Sequence, residues 1–191
     1  MWPCAPGSGP SVRRVFRTDS RPAWSLRGAC LLVAIGLTWL GGLSGAAAAC
    51  TDPPGAEVNW QRCVFNGLDF QKVDLTGARL RDASFFRANL SHSDLSKIRG
   101  FRAKFVNAVM REVKLYEAKL SEADFTKADL TGASLAKADL RRVRFFGAIL
   151  RNADLTGARL TGADLTRADL SGATWVDGKR VCAEGSLGRC N

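Results

Sequence analysis

The chain has 191 residues, of which 28 are Lys or Arg and 18 are Asp or Glu, so its net charge is +10 at neutral pH. This charge is opposite in sign to that of a nucleic-acid mimic and favours an anionic partner. One histidine, His92, and the absence of any phosphate-loop or nucleophile motif give no basis for a catalytic site. We therefore expect no enzyme activity, no cofactor and no bound metal.

Residues 1–49 form a segment of their own. Five arginines precede an uncharged stretch from Gly28 to Ala49, and the last residues of that stretch are small. This order of basic, apolar and small residues is typical of a secretory signal peptide, with cleavage before Cys50. The sequence therefore predicts a periplasmic or secreted protein, while the true translation start of the leader stays open.

Two alternatives to a cleaved, soluble product stay open. The 22 uncharged positions of residues 28–49 are nominally long enough to span a membrane, although the second half is rich in Gly, Ser and Ala. A cysteine directly after the cleavage site is also where a lipid is attached in lipoproteins. In bacterial lipoproteins the position three residues before this cysteine resembles a leucine. Here that position is Ala47, which favours ordinary cleavage before Cys50.

Four cysteines remain after the predicted cleavage, in two local pairs that flank the central region. Pairing of Cys50 with Cys63 and of Cys182 with Cys190 would close a short loop at each end in an oxidising compartment. Each loop would contribute about 2 to 3 kcal/mol. A four-cysteine metal site is disfavoured because neither pair has the short spacing of a zinc knuckle.

Residues 63–177 divide into consecutive pentapeptides without an insertion or deletion. The centre of each unit is a large apolar residue, mostly Leu or Phe, from Phe65 to Trp175, and Gly100 is the one exception. A smaller residue, mostly alanine, stands two positions before each centre. A period of five matches neither a helix nor a strand. Such fixed-period similarity is typical of a solenoid, in which stacked units share one core.

Units such as ADLTG at 153–157 and ARLTG at 158–162 resemble the pentapeptide repeat family. The resemblance implies an all-β fold, a right-handed quadrilateral β-helix in which four pentapeptides form one coil. The centres and the smaller residues two positions before them, Leu68 among them, would point inward. About 23 units would then make about 5.75 coils. Some members of the family are acidic, dimeric DNA mimics that bind type II topoisomerases. The basic charge and the predicted export of this chain disfavour that function.

An independent sign of four units per coil is that phenylalanine recurs as the centre at intervals of 20 residues. These centres are Phe65, Phe85, Phe105, Phe125 and Phe145. They would lie on one side of the coil, the phenylalanine wall, with their rings stacked about 4.8 Å apart.

The segments on either side of the repeats are predicted to be caps. Residues 50–62 would form the N-terminal cap and residues 178–191 the C-terminal disulfide loop cap, since the open ends of a solenoid expose apolar centres and unpaired edges. Trp60 and Trp175 are the expected lids. At Gly100 we expect a locally irregular coil.

Sorting the outward residues by the 20-residue period separates the charges. The phenylalanine wall and one neighbouring wall are basic, whereas the other two are close to neutral. The second basic wall, the arginine wall, has the centres Leu80, Gly100, Leu120, Leu140 and Leu160. Aromatic residues beside arginines favour an interaction surface, and Phe101 joins it if Gly100 leaves the register undisturbed. The candidate surface consists of Arg79, Arg81, Phe86, Arg99, Arg102, Arg141, Arg142, Arg144, Phe146 and Arg159.

The sequence thus predicts a non-catalytic, exported binding or structural module that presents two basic walls to an unidentified protein or polyanionic envelope component. The alternative is a lipid-anchored envelope protein that contacts anionic membrane or cell-wall polymer. Nucleic acid fits the charge but not the predicted compartment. Oligomeric state is left open.

Overall fold

The structure is a computed structural model and describes residues 50–191; the predicted signal peptide at 1–49 lies outside the described residues. Within this part no helix forms and no strand exceeds a single bridged residue. Instead, every fifth residue from Asn59 to Asp154 forms a parallel bridge with the residue 20 positions later. One coil therefore contains four pentapeptides, as predicted. No helix of residues 50–191 has the length and apolarity needed to cross a membrane.

Each pentapeptide combines a bridged residue with a tight turn. We call the residue before each centre the bridge residue and the residue after it the turn residue. The next residue has a positive φ at every fifth position from Glu57 to Gly172, and the turn closes with a bond such as Ala78 N to Leu75 O at 3.0 Å. A positive φ at the third residue is the requirement of a type II turn. Most of these residues are not glycine, so the stacked coils hold a conformation that costs an L-residue about 1 kcal/mol.

Main-chain hydrogen bonds connect each coil to the next. The N–H of Phe105 donates to the carbonyl of Asp124 at 2.7 Å, and the N–H of Lys104 donates in the opposite direction, to Ala83, at 2.9 Å. The same pattern repeats on all four walls, so each bridge residue lies directly above the bridge residue of the coil before it.

The centres and the small residues before them fill the interior. On the phenylalanine wall the five predicted rings stack, with centroids separated by 5.4, 5.3, 4.8 and 5.3 Å in chain order. All but Phe65 of these rings are fully buried. The predicted column therefore forms one continuous aromatic stack through five coils.

The parallel bridges begin one pentapeptide before Cys63, the residue at which the sequence placed the start of the first repeat. Asn59 already bridges Arg79, and Trp60 is 1% exposed in the centre position of that earlier unit. Its ring lies 4.4 Å from the Phe65 ring and 5.5 Å from the Phe70 ring. Trp60 thus closes this end from within the core instead of lying over it as a lid.

Leu68 was assigned to the interior with the small residues, and that assignment is wrong. Its side chain is 50% exposed. Leu68 belongs to the first complete coil, and within residues 50–191 no coil lies below it on that wall. It therefore lacks the neighbouring coil that buries the same position further along the chain.

The predicted irregularity at Gly100 is also wrong. Arg99 bridges both Arg79 and Lys119 in the regular register. A Cβ atom on Gly100 would lie 2.9 Å from Cδ2 of Leu120 and 3.6 Å from Cδ1 of Ile98. These two side chains occupy the space that a large centre fills elsewhere, so the interior stays packed and the backbone stays regular.

The last residues fold back against the final coil. Val181 forms an antiparallel bridge with Thr174, and Leu187 forms one with Asp169. This segment covers two walls. The arginine and phenylalanine walls end at Leu160 and Leu165, which are only partly buried.

Two disulfides lie at the ends of the ladder. Cys50 pairs with Cys63, with 5.5 Å between Cα atoms, and Cys182 pairs with Cys190, with 4.8 Å between Cα atoms. Each closes a short loop, and the second lies in the segment that folds back over the final coil. Trp175, the other expected lid, is partly buried against the core.

Candidate anion-binding surface

Part of the predicted surface is neutralised by ion pairs at the edge between the two basic walls. Arg102 and Arg142 both reach Glu122, at 3.0 and 2.9 Å, and Arg144 reaches Asp124 at 2.6 Å. We call these five residues the ion-paired corner. They line a groove of about 440 Å³ in which acids and bases alternate from coil to coil. The positive charge of these arginines is therefore largely balanced within the protein.

Two further arginines of the predicted surface are also paired. Arg141 meets Asp139 at 2.7 Å, and Arg81 meets Asp82 at 3.5 Å. Exposed pairs of this kind contribute about 0 to 1 kcal/mol to stability. Their consequence here is electrostatic, since a paired guanidinium attracts an external anion less strongly than an unpaired one.

Three bridge residues on consecutive coils of the arginine wall are cations that form no ion pair within residues 50–191. Arg79 bridges Arg99, and Arg99 bridges Lys119. All three side chains are exposed, and none takes part in an ion pair within residues 50–191. We call Arg79, Arg99 and Lys119 the basic ladder. Arg159 is likewise exposed and outside these pairs, but Asp139 separates it from the ladder.

Lys119 was missing from the predicted surface residues. The 20-residue period places it above Arg99, so its position could be read from the sequence. Which cations lack a carboxylate partner could not be read in this way, because that depends on side-chain contacts between coils.

The basic ladder forms one side of a groove of about 420 Å³ on the arginine wall. The lining residues are Gln61, Arg79, Arg81, Arg99, Phe101, Lys119 and Ser121. All are bridge or turn residues of that one wall, so the groove runs along the stack of coils and is one wall wide. Phe101 lies in it because the register at Gly100 is undisturbed.

The aromatic residues of the surface are partly buried and lie beside arginines. The guanidinium carbon of Arg87 is 4.9 Å from the centroid of Phe86, and that of Arg167 is 5.7 Å from the centroid of Phe146. For Phe101 the corresponding distances are 5.5 Å to Arg81 and 5.0 Å to Arg102. Cation–π contacts of this type fix the arginines over the rings, so no ring is presented as a free stacking platform.

On many coils the bridge residue is an aspartate that caps the following turn. Oδ1 of Asp129 accepts hydrogen bonds from the N–H and the hydroxyl of Thr131, at 3.1 and 2.6 Å. Asp124 and Thr126 repeat the arrangement at 3.0 and 2.6 Å. This is an Asx turn, in which a short acidic side chain satisfies a backbone donor. The recurrent Asp-x-Thr/Ser spacing is the sequence signal of this capping role.

The capping bonds lower the pKa values of these carboxyl groups. Partial burial favours the protonated form of Asp124, but hydrogen bonds from Thr126 and the charge and hydrogen bond of Arg144 outweigh it and hold the pKa of Asp124 below its usual value. At Asp74 the hydrogen bonds from Thr76 lower the pKa of the carboxyl group. The caps are therefore ionised at neutral pH.

The basic ladder occupies the position that these caps hold elsewhere. A lysine or arginine has no acceptor for the turn N–H, and the N–H groups of Arg81, Phe101 and Ser121 donate to no protein acceptor within residues 50–191. On the same wall Asp139 does accept from the N–H of Arg141, at 3.4 Å. Three consecutive coils of the arginine wall thus lack a capping bond and carry an unpaired cation in its place.

Groups for catalysis or metal binding do not converge in the described region. His92 Nδ1 lies 3.3 Å from Glu112, and both side chains are exposed to solvent. No group of three or more His, Cys, Asp or Glu side chains in residues 50–191 is arranged to hold a metal ion.

The repeat region matches a known family. The profile of pentapeptide repeats matches the chain in overlapping segments between residues 56 and 174, with 8 copies. No curated protein is similar enough to the chain to be matched.

Three solved structures are similar to this chain. A pentapeptide repeat protein from the Arabidopsis thaliana thylakoid lumen is 26% identical, with 64% of this chain and 83% of that chain covered and a TM-score of 0.40. HetL from Nostoc sp. strain PCC 7120, involved in heterocyst differentiation regulation, is 28% identical, with coverages of 66% and 73% and a TM-score of 0.30. QnrB1, a plasmid-mediated fluoroquinolone resistance protein, is 23% identical, with coverages of 62% and 60% and a TM-score of 0.41.

Proposed function

Because the chain belongs to the pentapeptide repeat family, whose fold is the right-handed quadrilateral β-helix, we propose that it is an exported, non-catalytic binding module that presents its arginine wall to an anionic partner. The observation that carries this proposal is the basic ladder, in which Arg79, Arg99 and Lys119 lie on consecutive coils and have no carboxylate partner within residues 50–191. The ladder is held by main-chain bonds, so the backbone positions that carry its cations are fixed before the partner arrives.

Export is supported by the leader and by the cysteines. The basic, apolar and small residues before Cys50 have the order of a signal peptide, and the two disulfides fit an oxidising compartment. In this proposal the mature protein is periplasmic or secreted, and each disulfide staples a cap at one end of a solenoid of about 23 or more pentapeptides.

Intact mass of the protein recovered after expression of the full chain tests export. A mass that begins at Cys50, with no added lipid and no thiol available to alkylation before reduction, is expected. A mass that includes acyl chains on Cys50 would instead support the lipid-anchored envelope protein, because lipidation uses the thiol that otherwise pairs with Cys63. A mass that includes residues 1–49 would contradict the cleaved leader.

Binding at physiological ionic strength tests the anionic partner. The recovered protein is mixed with acidic polysaccharide, anionic vesicles, DNA and a neutral dextran, and bound protein is measured by equilibrium sedimentation. Saturable binding to at least one polyanion, none to dextran, and weaker binding at higher salt are expected. If the protein binds none of the three polyanions, the proposal is overturned.

A further inference from the structure

We propose that the basic ladder binds a single extended chain of acidic polysaccharide, with the chain running along the stack of coils. This inference rests on the proposed function and specifies the chemical class of its partner. The ladder residues Arg79, Arg99 and Lys119 repeat once per coil, at intervals of about 4.8 Å. A linear polymer with one carboxylate on each sugar carries charge at a comparable repeat, and arginine matches a carboxylate with two parallel hydrogen bonds.

The shape of the groove favours one polymer chain. Every lining residue is a bridge or turn residue of the arginine wall, and together these residues come from four successive coils, from Gln61 to Ser121. The groove is therefore elongated along the stack and narrow across it. Beyond its edge lies the ion-paired corner, where Glu122 and Asp124 neutralise the arginines. A broad double-stranded partner would have to contact those carboxylates as well.

The aromatic residue in the groove favours sugar over single-stranded nucleic acid. Non-specific binding of single strands depends on aromatic rings that stack on the bases. The guanidinium groups of Arg81 and Arg102 already lie over the Phe101 ring. The ring is partly buried, so what it offers a ligand is a small apolar contact beside the cations. Such a contact suits the C–H groups of a sugar.

The wall also lacks the apolar residues with which a protein enters a lipid surface. Within residues 50–191 the exposed large apolar residues are Val64, Leu68, Val109, Ile149, Val181 and Leu187. None is a bridge or turn residue of the arginine wall. Attraction to a membrane would therefore rest on charge alone, and the experiment below includes anionic vesicles for this reason.

Within residues 50–191 the ladder positions lack the turn cap that an aspartate supplies at other bridge positions, as do Lys104 and Lys114. An aspartate before a turn residue satisfies the turn N–H, as Asp94 does for Ser96 at 2.9 Å, and the ladder cations cannot. Three like charges on consecutive coils also repel one another. Local features that reduce stability without an evident structural gain are typical of functional sites, and a bound polyanion would relieve this repulsion.

The experiment measures binding of oligogalacturonates of defined length to the protein recovered after expression of the full chain, by isothermal titration calorimetry. We expect affinity to rise with length until the oligomer spans the three cations and then to level off. The double variant Arg79→Gln/Arg99→Gln is expected to lower affinity at least about tenfold and to reduce the slope of log affinity against log salt by about two. The matched control is Arg142→Gln/Arg144→Gln, which removes the same charge from the ion-paired corner and is expected to change affinity less than about twofold.

A second variant separates binding from folding. Lys119→Asp gives residues 119–121 the same sequence as Asp94–Ser96, so we expect an added turn cap, a melting temperature no lower than that of the wild type, and reduced affinity. Equal losses in the ladder variant and the control would overturn the site, although the proposed function would stand. Tighter binding to DNA or anionic vesicles than to galacturonate chains of equal charge would overturn the polymer class alone. Absence of binding to every polyanion would overturn both proposals.

Discussion

The phenylalanine wall and the arginine wall share one backbone ladder but differ on both of their faces. Inside, the phenylalanine wall carries an unbroken stack from Phe65 to Phe145, whereas the arginine wall is interrupted by Gly100. The bulk missing there is restored by Ile98 and Leu120. The comparison shows that the interior is packed by the unit and its neighbours together, and that a single centre is dispensable if adjacent residues fill its space.

The outer faces differ in how their cations are balanced. On the phenylalanine wall, Asp124 caps its own turn and also pairs with Arg144 of the next coil. On the arginine wall, Arg79, Arg99 and Lys119 follow one another, and the first acid of that column is Asp139 on the next coil. The same position therefore serves stability on one wall and leaves charge available to a partner on the other.

Removing one ring from the phenylalanine stack should have the largest effect on stability, and it tests how the interior of this wall is packed. Phe105→Ala is expected to lower the free energy of unfolding by about 3 to 5 kcal/mol, because it leaves a cavity between two stacked rings. Urea denaturation measures this value. Phe86→Ala is the control on the same wall, and its partly buried ring should cost less than half as much. Equal costs would mean that inside and outside have been assigned wrongly.

On the arginine wall the residue with the greatest expected effect is Ile98. Ile98→Ala should lower the free energy of unfolding by about 2 to 5 kcal/mol, because its side chain helps to fill the space beside Gly100. Val113 is a matched control: it has the same position in a unit whose centre, Leu115, is intact and buried. If Val113→Ala costs as much as Ile98→Ala, Ile98 has no special role at Gly100.

A large side chain at position 100 tests directly whether positions 98 and 100 fill the same space. Gly100→Leu should cost about 1 to 3 kcal/mol by overpacking, since its Cβ would meet Leu120 at 2.9 Å. In the Ile98→Ala/Gly100→Leu double variant the usual Ala-x-Leu pattern is restored. Its loss of stability, measured by urea denaturation, should be smaller than the sum of the two single losses. Additive losses would show that the two positions do not share one space.

The turn caps make a smaller contribution on the outer face. Asp124→Ala removes the acceptor of Thr126 and the partner of Arg144, and about 1 to 2 kcal/mol of unfolding free energy should be lost. Asp124→Asn retains an acceptor oxygen and should lose less. Thermal unfolding at neutral pH compares the two variants, and a loss that is no larger for alanine than for asparagine would contradict the capping role.

The smallest expected effect is on how the melting temperature depends on pH. The pKa of Asp124 is below its usual value in the folded protein, whereas an unfolded aspartate titrates near about 3.9. The stabilisation that Asp124 gives the folded protein is therefore complete above the pKa of the unfolded state. It is lost as the pH falls through the pKa of the folded state. Between pH 7 and pH 3 the melting temperature of Asp124→Asn should fall less than that of the wild type. An equal fall in both proteins would mean that Asp124 does not contribute to acid sensitivity.

Particular residues show how far the sequence could be interpreted before the structure was considered. The phenylalanine centres from Phe65 to Phe145 were placed on one wall because they recur every 20 residues, which is four pentapeptides. Leu68 was placed incorrectly because burial at the end of a ladder depends on whether another coil lies below it. Trp60 was assigned to the cap because it precedes the most regular units, although its spacing from Leu80 is that of a centre.

The candidate surface was only partly predictable. The period located the two basic walls, and it placed Arg79, Arg99 and Lys119 above one another. It did not reveal that Arg102 and Arg142 share Glu122, since several carboxylates lie within reach of a long side chain. The distinction between paired and unpaired cations, and hence the basic ladder, comes from contacts between coils.

By itself the sequence determined the register and the inward centres, through an unbroken repeat of five residues. The resemblance to the pentapeptide repeat family implied the four-sided coil, and the return of phenylalanine every 20 residues agreed with it. Only the tertiary structure decided how the space at Gly100 is filled and which arginines remain unpaired. These outcomes depend on side chains 18 to 20 residues apart, such as Arg111 with Asp129 and Arg144 with Asp124. Such residues become neighbours only when the coils are stacked.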